Sequence, residues 1–219
     1  MTTTLVIGGS RGIGLELCRQ LSARGDEVTT TCRKPSSELN ALGIPVLADT
    51  DVRSAGSVAS LKQALGDMQI DLLIHNSGIL TNESLQDMDF ERIEEQFRVN
   101  TLGPLRVIHA LLDNLHNGSK IGILSSRMGS LADNGSGGRY GYRISKAAVN
   151  AMGVSLAHDL ADREIAVALL HPGLVATDMT GRNGIAPGDA ARGLIERLDQ
   201  LDMQNSGSFW HAEGYELPW

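Results

Sequence analysis

The sequence contains little cysteine and no long apolar run. Its 219 residues include two cysteines, Cys18 and Cys32, which are too few for a disulfide framework and favour a reducing, cytoplasmic location. No apolar stretch approaches the ~20 residues that a membrane helix needs. The opening MTTTLVIGGS lacks the basic region of a signal peptide and is predicted to be a strand. We therefore expect no membrane association.

Basic residues and metal-ligand patterns are also scarce. The chain has 19 lysines and arginines against 26 aspartates and glutamates, a net charge of -7. This balance disfavours nucleic acids and anionic membranes as partners, although a few basic residues concentrated at one site could still bind an anionic ligand. The six histidines are not paired with one another or with a cysteine pair. We therefore expect no metal site.

Short aliphatic runs alternate with segments of helical period. Strands are predicted over residues 3–8, 27–33, 44–49, 70–76, 119–126 and 165–173, and helices over 12–24, 54–65, 85–115 and 142–161. This alternation predicts an α/β fold with an open parallel sheet and helices on both faces. No repeat or charge run suggests a second domain, so residues 1–219 are expected to form one domain. The Gly/Pro-rich stretch at 180–189 is predicted to be a loop over a site.

The stretch VIGGSRGIG, residues 6–14, places glycines between a predicted strand and a predicted helix. Glycines allow a sharp turn and let backbone N–H groups approach a pyrophosphate at the positive end of the helix. We assign Gly8, Gly12 and Gly14 to this cradle and treat Gly9 as a spare. The alternative is an ordinary strand–helix turn that uses glycine for its positive φ.

The end of the second predicted strand, TCRKP, lacks an acidic residue. An NAD-binding unit usually has Asp or Glu here to hold the ribose 2′-hydroxyl, but Asp26 and Glu27 precede the strand. Arg33 and Lys34 instead occupy the place of a 2′-phosphate, and Arg11 can approach from the glycine loop. The pattern predicts NADP(H). The alternative is that these basic side chains are simply solvated.

The segment YRISK places Tyr142 and Lys146 four residues apart, on one face of a predicted helix. A tyrosine that is protonated at neutral pH can donate a proton to a carbonyl oxygen, and a nearby ammonium is expected to lower its pKa. Ser125 and Ser126 end the fifth predicted strand, where a hydroxyl could bind a substrate oxygen. Asn100 lies in a predicted helix, which asparagine does not favour. The alternative for Tyr142 and Lys146 is a pair on the protein surface. For the serines it is a cap at the end of a strand, and for Asn100 it is a solvent-exposed position without a function.

Taken in order, these motifs resemble those of the short-chain dehydrogenases/reductases over nearly the whole chain. The resemblance implies a single-domain Rossmann fold, a doubly wound parallel sheet of about seven strands. It also implies a catalytic tetrad of Asn100, Ser126, Tyr142 and Lys146. Tyr142 would be the acid/base and Ser126 the anchor of the substrate oxygen. Lys146 would bind the nicotinamide ribose and tune the tyrosine, and Asn100 would hold a water that passes protons to Lys146. Tyr142 is chosen over the nearby Tyr140 because Tyr140 has no lysine four residues later.

The same resemblance implies further cofactor contacts. His75 and Ser77 depart from the family's Asn-Asn-Ala-Gly element, and we interpret His75 as a packed strand-end residue. The implied contacts come from the glycine loop, the segments after the third and fourth strands, and the Pro-Gly segment. They are Ser10, Ile13, Asp51, Val52, Asn76, Ser77, Gly78, Pro172, Gly173, Val175 and Thr177.

Two departures indicate a subgroup. The connection between Ser126 and Tyr142 is longer than usual, and the ending GSFWHAEGYELPW is distinctive. Both look like the C-factor-like and sniffer-like carbonyl reductases. The loop after Thr177 leaves no room for a long helical lid, so we expect a fairly open substrate pocket.

The resemblance implies NADPH-dependent reduction of an aldehyde or ketone to an alcohol. The alternative is a dinucleotide-binding signalling or regulatory protein of the C-factor type with little turnover. A Rossmann methyltransferase would leave Tyr142 and Lys146 unexplained. The family often forms dimers or tetramers through the helices that carry Asn100 and Tyr142, so a homodimer or homotetramer is expected.

Overall fold

A computed structural model describes residues 1–219 and contains one seven-stranded sheet. All of its strands are parallel, in the order β3-β2-β1-β4-β5-β6-β7. They span β1 Thr3–Ile7, β2 Glu27–Thr31, β3 Val46–Leu47, β4 Ile70–His75, β5 Leu115–Leu124, β6 Ala166–His171 and β7 Phe209–His211. The α-helices span α1 Gly12–Arg24, α2 Ser37–Asn40, α3 Ala55–Leu65, α4 Phe90–Phe97, α5 Gly103–Ala110, α6 Tyr140–Asp159 and α7 Pro187–Asp199.

Helices cover both faces of the sheet, as predicted. Successive strand residues point to opposite faces: in β1, Leu5 and Ile7 pack into one buried cluster and Val6 into the other. The first cluster includes side chains from α3, α5 and α6, and the second includes side chains from α1 and α7. The prediction of a doubly wound Rossmann fold is confirmed. None of the helices combines the length and the apolar composition that a membrane span requires.

The strand order reverses at β1, and this reversal positions the site. Ile7 at the end of β1 is in register with Thr31 of β2 on one side and with His75 of β4 on the other. The segments that leave these three strands therefore emerge together at the carboxyl edge of the sheet. A crevice at such a switch point is where open α/β sheets bind ligands.

The predicted helix over 85–115 is interrupted. The structure has α4, then a π-helical turn at Arg98–Leu102, then α5 and a 3-10 turn at Leu112–Asn114. In a regular helix the carbonyl of Asn100 would accept from the N–H of residue 104, but Pro104 has none. Asn100 lies in the wider π-helical turn, and such turns often lie at functional sites.

Three elements escaped the sequence prediction. α2 has four residues and β7 has three, which is too short for a periodic signal. α7 begins inside the Gly/Pro-rich stretch that was assigned to a loop, and Pro187 occupies a first-turn position where its missing N–H costs no hydrogen bond. Most of the other boundaries shift by a few residues, and the largest shifts are at β5, which begins at Leu115 instead of residue 119, and at α4, which begins at Phe90 instead of residue 85.

Candidate active site

A cleft of about 560 Å³ lies at the carboxyl edge of the sheet. It runs from the glycine loop and the end of β2 to Tyr142 and Lys146 on α6. The predicted cofactor residues that line it are Gly8, Ser10, Arg11, Gly12, Ile13, Arg33, Asp51, Val52, Asn76, Ser77, Gly78, Pro172 and Thr177. Those that do not are Gly14, Lys34, Gly173 and Val175.

The glycine loop contains a turn that favours glycine at two positions. Gly8 has φ +95° and Gly12 has φ +55°, both in the left-handed region. A side chain at Gly14 would overlap the carbonyl of Gly8 and come within 2.5 Å of Asn76 Nδ2. That amide donates a 2.8 Å hydrogen bond to the Gly8 carbonyl, which ties the loop to the segment after β4. The loop therefore places the N-terminus of α1 at the cleft.

Gly9 does not line the cleft, but packing requires a glycine at this position. Gly9 is buried, and a Cβ there would overlap Thr30 Oγ1 and lie 2.8 Å from Cys18 Sγ. The Thr30 hydroxyl donates a 2.8 Å hydrogen bond to the Val6 carbonyl and is itself buried. Gly9 is therefore required for the loop to pass across β2.

The basic residues at the cleft differ in their partners. Arg33 lines the cleft, and its guanidinium makes no hydrogen bond or ion pair with any residue of the chain. Arg11 also lines the cleft, but it donates to Asp178 Oδ2 at 3.1 Å and is largely exposed. Lys34 is exposed outside the lining. The structure thus brings two of the three predicted side chains into the cleft.

Charged side chains from α2, from the segment after β3 and from α4 line one part of the cleft, and of these the sequence predicted only Asp51. The guanidinium of Arg53 holds the pKa of the Asp51 carboxyl below its usual range, with Nη2 to Oδ2 at 2.5 Å. Arg53 also pairs with Glu95 of α4. Arg53, Glu95 and Glu38 line the cleft without matching a motif. Their placement depends on a contact between segments far apart in sequence.

Tyr142 and Lys146 lie one turn apart on α6 at the inner end of the cleft. They are 8% and 4% exposed, and Lys146 Nζ is 5.8 Å from the centre of the tyrosine ring. The ammonium donates a 2.7 Å hydrogen bond to the carbonyl of Leu124 at the end of β5. Burial lowers the pKa of Lys146 to about 8.

The expectation that Lys146 lowers the pKa of Tyr142 was wrong for this structure. Burial raises the pKa of the phenol, and the hydroxyl of Ser126 and the charge of Arg139 act in the opposite direction. Removal from water disfavours the phenolate more strongly than these neighbours favour it. Tyr142 therefore holds its proton at neutral pH.

The two serines at the end of β5 have different partners. Ser125 lines the cleft, but its hydroxyl donates a 2.6 Å hydrogen bond to Asn150 Oδ1 on α6. Ser126 accepts a 3.2 Å hydrogen bond from the N–H of Met128, and its hydroxyl acts to lower the pKa of the Tyr142 phenol. Ser126 is thus the serine associated with the tyrosine, and it does not itself line the cleft.

Asn100 lies buried in the π-helical turn behind the cleft. Its Oδ1 accepts from the N–H of Ile79 at 2.8 Å, and its Nδ2 donates to the Ile79 carbonyl at 2.9 Å and to Ser145 Oγ at 3.0 Å. The side chain therefore binds the segment after Gly78 to α6. Both of its amide N–H groups are used.

His75 is buried at the end of β4, with an Nε2 that has no hydrogen-bond partner. Burial, and then the charge of Lys146, lower its pKa to about 3. The imidazole is neutral at physiological pH, which fits a packed strand-end residue rather than a catalytic base.

The segment after β6 closes the cleft from the other side. Pro172 and Thr177 line it, whereas Gly173 has φ +83° and lies beneath, against the ring of His211. Val175 is buried and pairs with Ile185. Between β6 and α7 the only helical turn is Asp178–Thr180. A long lid is therefore absent, as the short loop predicts.

Comparisons with known proteins agree with this geometry. The family model described as short chain dehydrogenase matches residues 2–186. The 1-hydroxy-2-glutathionyl-2-methyl-3-butene dehydrogenase of Rhodococcus sp. (strain AD45) is 43% identical, with 100% of both chains covered. The C-signal of Myxococcus xanthus is 42% identical over 68% of this chain and 93% of that protein.

Solved structures are similar over the whole chain. The NADPH-bound carbonyl reductase from chicken fatty liver has a TM-score of 0.91 at 27% identity, covering 100% of this chain and 99% of that one. The carbonyl reductase Sniffer of D. melanogaster has a TM-score of 0.91 at 26% identity, covering 100% of both chains.

Proposed function

The chain belongs to the short-chain dehydrogenase family, and from this premise we propose that it is an NADP(H)-dependent oxidoreductase that interconverts an aldehyde or ketone with an alcohol. One observation carries the proposal. The buried Tyr142–Lys146 pair lies at the inner end of the same cleft whose outer end is the glycine loop. Such a cleft can hold a dinucleotide with its reactive ring beside a proton donor.

The residues of the cleft fit an NADP(H) molecule. The left-handed turn at Gly8 and Gly12 and the N-terminus of α1 would hold the pyrophosphate. Asp51 and Val52 would lie against the adenine. Asn76 to Gly78, together with Pro172 and Thr177, would surround the ribose and nicotinamide, with Gly14, Gly173 and Val175 supporting from beneath. When bound, the nicotinamide supplies or accepts a hydride.

Arg33 supports a preference for the phosphorylated cofactor. Its guanidinium lines the cleft at the end of β2 and has no partner within the protein, so a 2′-phosphate would satisfy it. Arg11 would assist if it exchanged Asp178 for the phosphate, and Lys34 would contribute only a charge at longer range. Charge-assisted hydrogen bonds contribute ~1.5–3 kcal/mol each.

We assign the proton transfer to Tyr142. Burial raises its pKa, so the phenol is protonated at neutral pH and can donate to a carbonyl oxygen during reduction. Ser126 would orient that oxygen. Lys146 would hold the nicotinamide ribose and return a proton to the phenolate.

Asn100 would position a water that connects Lys146 to solvent. Its side-chain N–H groups are already used, so its backbone carbonyl is the group for this role. The α-helical donor of that carbonyl is missing because residue 104 is proline.

The relatives support an alcohol–carbonyl reaction without specifying the substrate. One is named as a dehydrogenase of a glutathionyl alcohol, and two solved neighbours are named as carbonyl reductases. The similarity to C-signal favours a signalling role as the second candidate, but a protein that only binds a dinucleotide would not need the buried Tyr142–Lys146 pair.

A homodimer or homotetramer is proposed by analogy with the family, and sedimentation velocity would test it.

Tyr142→Phe tests the assignment. We expect the variant to bind NADPH like the unchanged protein, by fluorescence titration, and to lose at least about 100-fold in turnover, because it lacks the transferable proton. The measurement is NADPH absorbance during a screen of aldehydes and ketones.

Tyr140→Phe is the matched control, since Tyr140 lies on the same helical turn but has no lysine four residues on. We expect it to keep its activity. Comparable turnover in Tyr142→Phe would refute the acid/base role. Absence of turnover in the unchanged protein with every carbonyl tested would favour the signalling alternative.

A further inference from the structure

The arginines of this acidic protein are nearly all paired, and the exceptions are informative. Of the fifteen arginines, ten contact a carboxylate. Three others donate to backbone carbonyls. The remaining two, Arg33 and Arg139, have guanidinium groups with no oxygen partner. Arg33 lies where the cofactor phosphate is proposed to bind, so Arg139 needs its own explanation.

The backbone holds Arg139 in an unusual conformation. It has φ 50° and ψ 47°, in the left-handed region that a non-glycine residue rarely adopts. Gly137 and Gly138 precede it, each with φ +63°, and its N–H donates a 2.8 Å hydrogen bond to the Glu83 carbonyl. Such strain persists where the surrounding structure enforces it, and it clusters at functional sites.

The guanidinium of Arg139 lies against Met128, in the connection that follows Ser126. Arg139 Nη1 lies 3.7 Å from Met128 Sδ, and the N–H of Met128 donates to Ser126 Oγ. Tyr142 follows Arg139 by one turn of α6, and the charge of Arg139 favours ionisation of its phenol. The cation therefore lies on the side of Tyr142 that faces the connection after Ser126.

No acidic side chain neutralises Arg139. Asp133 of the same connection is engaged by Arg127. The carboxylate of Glu83 is buried and accepts hydrogen bonds from the N–H of Gly141 and from Gln96. An exposed arginine with no acidic partner, one helical turn before the proposed proton donor, is suited to bind an anionic group.

We propose that Arg139 binds a carboxylate of the substrate, so that the preferred carbonyl compounds or alcohols carry a carboxylate away from the reacting carbon. This inference rests on the proposed function for its link to catalysis. The carboxylate contact exists before and during the reaction alike, so it acts on substrate affinity rather than on the rate of the chemical step.

A binding experiment tests this without requiring turnover. 4-Formylbenzoate and its neutral methyl ester are titrated by calorimetry into the protein saturated with NADP⁺, which cannot reduce them. We expect the carboxylate to bind about tenfold or more tightly than the ester, with the advantage shrinking as salt is added. Arg139→Gln is expected to remove the advantage without changing the affinity for the ester, and Arg139→Lys to retain part of it.

Arg19→Gln is the matched control, since Arg19 is a half-exposed arginine on α1 that pairs only with Glu16. It should leave the advantage intact. Equal affinity for the two probes, including no measurable binding of either, would overturn the inference, as would an advantage that survives in Arg139→Gln. The same proteins are then assayed with NADPH. Selective binding without any reduction would refute the proposed function and leave the carboxylate site standing.

Discussion

Burial controls the charge of individual residues around Tyr142. Lys146 has a pKa lowered to about 8 and His75 a pKa lowered to about 3, while the pKa of Tyr142 is raised. In each case removal from water is the largest cause, and the neutral form gains. At neutral pH the site therefore contains a protonated phenol, a neutral imidazole and an ammonium held by a backbone carbonyl, a set suited to proton transfer.

Arg33 provides a prediction about cofactor choice. Arg33→Asp replaces an unpartnered cation with an anion at the proposed 2′-phosphate position. We expect NADPH affinity to fall by about ten- to several-hundred-fold and NADH affinity to change little. Fluorescence titrations with both cofactors measure this.

Lys34→Gln is the comparison for that variant, because Lys34 lies next in sequence but outside the cleft. Its effect should be much smaller. Equal affinities of the unchanged protein for NADPH and NADH would contradict the assignment of Arg33.

At the level of elements, the passage from β1 to α1 depends on close backbone packing. Gly9 packs on Thr30 of β2, and Gly14 packs on the carbonyl of Gly8. Neither position has a positive φ, so the requirement is space rather than conformation. The cradle is therefore built by contacts with β2 and with the segment after β4 as much as by its own turn.

Gly9→Ala tests this packing requirement. The added methyl group would overlap the buried Thr30 hydroxyl, so we expect a loss of about 1–3 kcal/mol in the free energy of unfolding. Gly56→Ala is the matched control, because Gly56 lies in α3 with no atom closer than 3.8 Å to the added Cβ. It should gain about 0.4–1 kcal/mol. Urea unfolding of both variants measures this, and an unchanged midpoint in Gly9→Ala would contradict the packing requirement.

For the whole molecule, buried neutral histidines couple folding to pH. His75 and His171 both have pKa values lowered to about 3, chiefly by burial, whereas an unfolded histidine titrates near 6.5. Between these values the unfolded chain binds protons that the folded protein does not. Stability therefore falls as the pH drops from about 6.5 towards 3.

His75→Asn tests this coupling. Between pH 7 and pH 5, His75 is expected to lower the free energy of unfolding by about 2 kcal/mol, at ~1.36 kcal/mol per pH unit below 6.5. The variant lacks this contribution, so its free energy of unfolding should fall less than that of the unchanged protein over the same interval.

His158→Asn, which changes an exposed histidine on α6, is the control and should follow the unchanged protein. Urea unfolding at pH 7 and pH 5 provides the measurement. Parallel losses in His75→Asn and the unchanged protein would show that His75 does not contribute.

The sequence by itself determined the features that depend on local pattern. Alternating aliphatic and helical segments predicted the parallel sheet, because each element must bury one face. The strand–glycine–helix order located the cradle, and the missing acid after β2 pointed to Arg33. The sequence predicted one helix over 85–115 and missed its interruption at Asn100, although Pro104 is visible in the sequence. The spacing of apolar residues does not report which backbone groups are hydrogen-bonded.

Only the tertiary structure decided which neighbours each side chain meets. It distinguished Ser125 from Ser126, because the Ser125 hydroxyl is bound by Asn150, a residue 25 positions away. It also showed that Gly9 packs against β2. It also reversed the expected direction of the pKa shift at Tyr142 and left Arg139 without an acidic partner. These properties depend on burial and on contacts between distant segments, and neither is encoded in local spacing.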